Sequence, residues 1–216
     1  MSAPTGELAP PARHALVALS AAVAAGDERS ITLAARAADR YAPHGAVEES
    51  LLQSYLFLGF PAALAALFIW RRVTESAPQA EAAGEVDDVD RWVVRGSEVC
   101  RTVYGRAYEK LRANVRRVHP AMDRWMIQEG YGKVLGRPGL DLGTRELCIV
   151  AILAATGWEA QLHSHLRGAL NAGCTSGEIE EALEEGLALA RDEGWVGRAR
   201  RLWNRVRDRV RETPGG

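Results

Sequence analysis

The stretch ELCIVAILAATG (residues 146–157), followed directly by WEAQLHSHLRGALNAG (residues 158–173), decides the fold. Apolar side chains fill the first segment almost without interruption, and it stops at a glycine, the residue that most readily closes a helix in the left-handed conformation. The second keeps helical spacing, with Leu162, Leu166 and Ala169 on one stripe, and halts at Gly173. Two helices joined by so short a turn form an antiparallel hairpin. Around it the chain is rich in Ala, Leu and Arg at helical apolar spacing, while alternating runs of Val, Ile and Thr are nearly absent. An all-α fold is therefore expected.

Working outward, Thr144 is placed to cap the first helix of the hairpin. Thr175 or Ser176 opens the helix after the hairpin, with Glu178 in its first turn as a capping acid. Upstream the spacing predicts helices over about 97–116 and about 120–130, then the turn-rich GYGKVLGRPGLDLG at 130–143. The N-terminal half repeats this order. ALVALSAAVAAG (15–26) lies over 146–157, AVEES (46–50) over EIEEA (178–182), and FIWRRV (68–73) corresponds to RRLWNRV (200–206). This reads as a tandem duplication of two helical units: a degenerate unit at 1–72, an acidic, small-residue linker at 73–90, and a second unit at 91–216.

The run LLQSYLFLGFPAALAALFIW (51–70) approaches the length of a bilayer span. Gln53, Ser54 and Tyr55 interrupt it, Gly59 and Pro61 would break its helix, and charges flank it, so it reads as a buried or subunit-interface helix pair. A formal charge of −1 removes any global electrostatic case for nucleic acid or anionic membranes. The arginine-rich C-terminal helix has one apolar stripe, Ala199, Leu202, Trp203, Val206 and Val210, which leaves its arginines as a solvated face. Cys100, Cys148 and Cys174 are unspaced for a disulfide framework or a tetrahedral metal site and fit a reducing cytoplasm. The N-terminus MSAPTGELAPPARH lacks a secretory pattern and reads as a short leader.

Chemistry is expected at Glu146 and His165. At about 1.5 Å per residue they stand roughly 16 and 12 Å from the Gly157 turn, so their side chains can meet across the hairpin. Each lies on an apolar stripe and so points inward, and a carboxylate beside an imidazole in an apolar pocket makes a proton-transfer group. The plainer alternative is a hydrogen-bonded core histidine and a first-turn acid favoured by the helix dipole. His163 and His165 resemble a metal pair, but neighbours at i and i+2 face different sides of a helix, and no metal site is expected.

The run RPGLDLGTRE (137–146), the apolar helix to Gly157, HLRGALNAG (165–173) and TSGEIEEAL (175–183) resemble the carboxymuconolactone decarboxylase family. The resemblance spans about 129–190 and extends loosely through Arg95-Gly96 and Tyr104-Gly105. It implies a cofactor-free lyase of decarboxylase type acting on a small carboxylated lactone or related acid. His165 would be the acid/base and Glu146 its orienting partner, Arg137 or Arg145 would hold the substrate carboxylate, and Glu129 is a lesser candidate. It also implies assembly from paired helical units, often six in total, so that a fused chain would form a homotrimer. In the related alkylhydroperoxidase-like branch the site adds a Cys-x-x-Cys pair, whose positions here are Trp158 and Gln161, and dithiol peroxidase chemistry is disfavoured. Ala15 and Ala34 occupy the positions matching Glu146 and His165 in the first unit, which reads as a structural pseudo-subunit. The competing class is a non-catalytic oligomeric or ligand-binding protein on the same scaffold.

Overall fold

A computed structural model describes residues 8–78 and 88–211. The N-terminal half contains α1 (Pro10–Ala25), α2 (Glu28–Tyr41), α3 (His44–Gln53) and α4 (Tyr55–Thr74). The second half begins with α5 (Val89–Tyr104), a 3₁₀ turn (Gly105–Ala107), α6 (Tyr108–Val118), α7 (Pro120–Trp125) and a π-helical stretch (Met126–Leu135). It continues with α8 (Leu142–Thr156), α9 (Glu159–Asn171), α10 (Ser176–Leu187) and α11 (Glu193–Arg211). No strand occurs among the described residues, so the fold is all-α as the sequence reads.

The centre of the molecule is α8, buried at every position from Thr144 to Ala154. A helix apolar on all sides needs cover on all sides. α1 and α10 pack along it and α9 folds back on it, so one hydrophobic core runs through both halves, from Leu16 and Trp70 to Leu166 and Trp203. Gly26 and Gly157 close α1 and α8 in the same left-handed conformation, with φ of 76° and 82°. α5 crosses the π-helical stretch at backbone distance: a Cβ on Gly96 would lie 2.0 Å from the Ile127 carbonyl oxygen, and one on Gly132 2.1 Å from that of Trp92.

Several boundaries differ from those read in the sequence. Asp141 caps α8, accepting from the backbone N–H of Thr144 at 2.8 Å; Thr144 sits three residues inside and donates its hydroxyl back to Asp141. A short acid that reaches the third free N–H outcompetes a hydroxyl already within the first turn. The helix expected over 97–116 is two helices, parted at Gly105 with φ of 50°. The π-helical stretch takes up most of the glycine-rich segment read as turns. Helix occupies both ends of the 73–90 linker, and 79–87 lie outside the described residues. Of the expected leader, 1–7 lie outside them too, while α1 starts at Pro10, a residue suited to a first helical turn. Thr175 and Glu178 form the anticipated capping box of α10.

The run at 51–70 is split between α3 and α4, and Gly59 (φ 79°, ψ 166°) breaks α4 just before Pro61. By length and composition α4 could cross a membrane. Ala63, Ala66, Ile69 and Trp70 turn into the core, whereas Phe60, Leu64 and Phe68 stand exposed along one stripe. On α11, Ala199, Leu202, Trp203 and Val206 are buried as the stripe requires; the side chain of Val210 lies outside those described.

At the α6–α7 corner, Asp123 is buried and accepts from both Arg112 and Arg116. The Arg112 hydrogen bonds, with smaller help from Arg116, hold its carboxyl below the usual 3.8. A depressed carboxyl stabilises the fold above its unfolded value and loses that contribution as pH falls through the folded one. Asp123→Asn should therefore cost about 1–2 kcal/mol at pH 7, discounted for the solvent reaching Arg116. That difference from wild type should shrink in urea unfolding at pH 3; an equal deficit at both pH values would refute it.

Candidate functional site

Glu146 enters the core on the first turns of α8, and its carboxylate is completely buried. Across the hairpin, α9 brings His165 to it, and the imidazole Nδ1 lies 2.8 Å from Glu146 Oε2. His165 is 5% exposed, so the pair is shielded from water. With Nδ1 engaged, Nε2 is the ring nitrogen left for another partner. The edge of Phe57, from α4, meets the imidazole at a centroid distance of 5.7 Å. The second carboxylate oxygen, Oε1, is buried without a hydrogen-bond partner among the described residues. An orphaned buried carboxylate oxygen costs stability and is uncommon in folded proteins unless a site requires it.

Gly168 makes room for this arrangement. A Cβ there would fall 2.6 Å from Glu146 Oε2 and 2.7 Å from a Val103 methyl. Beside the carboxylate, the rings of Tyr104 and Tyr131 meet edge to face at a centroid distance of 6.1 Å. Burial first, and the negative charge of Glu146 among the lesser causes, raises both phenols above their ordinary 10, Tyr131 well above it. Burial also pushes the nearby Cys100 thiol up to about 12. Phe57, Tyr104, Tyr131 and Gly168 were not read as site residues, although Tyr104-Gly105 and Gly168 fall within the motifs quoted above.

The arginines stand elsewhere than expected. Arg145 is completely buried, and its donors are taken by the protein: Nη2 by Glu49 at 2.8 Å and the Arg137 carbonyl at 3.1 Å, Nη1 by Gln53 at 3.3 Å, and Nε by the Leu140 carbonyl at 3.2 Å. Arg137 donates to the same Glu49 at 3.1 Å. The carboxylate that Arg145 grips is thus an internal one from α3, which corrects its expected role as a substrate clamp; Arg137 spends its Nε on the same carboxylate. Glu129 is exposed on the π-helical stretch, where its charge acts on Tyr55, apart from the pair.

His163 is half-buried on a different side of α9 from His165, and no three His, Cys, Asp or Glu gather as a metal group among the described residues. Trp158 and Gln161 are exposed near the start of α9. Cys148 is buried with its thiol pushed up to about 12 by burial, and Cys174 is half-buried. In the first half Ala15 is buried and Ala34 partly so. His14 lies 3.5 Å from Glu185 and His44 2.8 Å from Asp39.

The model of the carboxymuconolactone decarboxylase family matches residues 120–204, which include α8, α9 and the Glu146–His165 pair. The chain is also 32% identical over 90 residues to a 4-carboxymuconolactone decarboxylase of Acinetobacter baylyi, a match covering 41% of this chain and 67% of that protein. On sequence motif, fold and relative alike, the chain belongs to the carboxymuconolactone decarboxylase family.

Proposed function

We propose that this protein is a lyase that decarboxylates a small carboxylated lactone or related acid, with His165 as the proton donor and Glu146 as its partner. The observation that carries this reading is the buried 2.8 Å pair with one imidazole nitrogen still unengaged. Loss of CO2 breaks a carbon–carbon bond and leaves its electron pair on the substrate carbon, delocalised into the lactone as an enolate. Protonated His165 then delivers a proton from Nε2 to carbon, and the neutral imidazole is reprotonated from solvent. Glu146 holds the ring through its hydrogen bond with Nδ1 and so leaves Nε2 for the substrate. The test is CO2 release from 4-carboxymuconolactone, a substrate class suggested by the relative's name. Turnover by wild type and its loss in His165→Gln are expected; equal turnover by both would end the reading.

A dithiol peroxidase reaction is poorly supported, since the thiols of Cys100 and Cys148 are buried and strongly protonated and Trp158 and Gln161 hold the family's cysteine positions. The reading extends to a cytoplasmic homo-oligomer in which the first unit serves assembly. The exposed Phe60, Leu64 and Phe68 on α4 support it, because large apolar side chains lined up in water mark a contact surface. Light scattering should give about three times the 23.5 kDa chain mass, and Phe68→Glu should lower it. A mass of one chain for the wild type at micromolar concentration would sink the oligomer.

A further inference from the structure

On the side of α9 turned away from His165, a cleft of about 300 Å³ opens between α9 and α6. α9 contributes His163, Ser164 and Arg167, and α6 contributes Lys110, Leu111 and Asn114; the three- and four-residue steps 163–167, 164–167, 110–114 and 111–114 are the helical spacing that places side chains on one face. The inner wall is Val103 and Tyr104, at the end of α5, with Ala107 from the 3₁₀ turn beside them. No Asp or Glu lines the cleft, and neither Arg167 nor Lys110 has an ion-pair partner among the described residues. Two unpaired cations thus face a partly apolar wall. The local positive field is felt by His163, which burial and then Arg167, Arg209 and Arg205 hold below its ordinary 6.5.

We propose that this cleft binds a small organic acid, its carboxylate between Arg167 and Lys110 and its apolar body against Val103, Ala107 and Leu111, as a site separate from the Glu146–His165 pair. A guanidinium matches a carboxylate through two parallel hydrogen bonds, and an ammonium adds a second point of charge. The apolar wall favours an organic anion over an inorganic one, and the volume suits a small-molecule ligand. Val103 and Tyr104 stand between the cleft and the Glu146 carboxylate, so the occupant does not touch the catalytic pair.

The test uses cyclohexanecarboxylate as the probe, followed by the imidazole Hε1 resonances of His163 and His165 at fixed pH. Cyclohexanecarboxamide, without charge, and inorganic phosphate, without an apolar body, are the controls. Saturable movement of His163 by the carboxylate, with much weaker responses to both controls, is expected. Arg167→Gln and Lys110→Gln, at exposed positions that do not endanger folding, should each weaken binding roughly tenfold. His165→Gln should leave the His163 response intact, so this site can stand or fall independently of the decarboxylase reading. Movement of His165 with His163 still, loss of binding in His165→Gln, an equal response to phosphate, or unchanged affinity in Arg167→Gln would each overturn the proposal.

Discussion

Glu49→Gln is expected to cost about 3–5 kcal/mol, the usual penalty for leaving a buried charge without its counter-charge. Glu49, on α3, is the carboxylate that pairs with Arg145 among the described residues; Arg145 is completely buried on α8, and Glu49 also accepts from Arg137. Burial already lowers the Arg145 guanidinium from its usual range, with Glu49 the main opposing influence. Glutamine keeps the shape and one acceptor but removes the charge, so a guanidinium is stranded in the core. For a chain of this size about 2–4 °C of melting temperature follows each kcal/mol, giving a fall of roughly 10 °C. Replacing the pair together, Glu49→Leu with Arg145→Met, should recover most of the loss, since apolar residues of similar volume avoid desolvating two charges. A Glu49→Gln protein that melts with the wild type would show that this network does not hold the two halves together.

Why the sequence misassigned Arg145 is a matter of range. Helical periodicity relates residues a few positions apart, and it made Glu146 and His165 legible: one glycine turn sets the register of two helices, and the side chains meet at 2.8 Å. Arg145 finds its partner 96 residues away, in the other half, through packing of α3 against α8 that no local pattern encodes. With its partner unseen, an arginine beside a candidate site reads as a substrate clamp. Arg167, two residues from His165, lies on another side of α9, and only the placement of α6 gives that side a cleft. The all-α class was legible because apolar spacing summed over many residues outweighs any one of them. The π-helical stretch escaped notice because α5 crosses it at backbone distance at Gly96 and Gly132, a long-range approach that local spacing does not report.

Glu146→Gln should lower turnover by about 10²–10⁴-fold, the range general acid–base groups contribute, while leaving the fold as stable as wild type or more so. The two expectations together separate a proton-transfer partner from a structural residue. Glu146 is costly where it stands: its carboxylate is fully buried, Oε1 has no hydrogen-bond partner among the described residues, and Gly168 is needed to admit it. Removing the charge relieves that cost, as expected where stability is given up for activity. The amide still offers His165 Nδ1 an acceptor, so the ring stays in place, but it lacks the negative charge beside the proton-donating ring. KM should change little, because the effect falls on the protonation step rather than on binding. Glu146→Asp draws the carboxylate back from His165 by one methylene and should fall between glutamine and wild type. Turnover within tenfold of wild type in Glu146→Gln, or a loss of activity that tracks a loss of stability, would remove Glu146 from the chemistry and leave His165 without its partner.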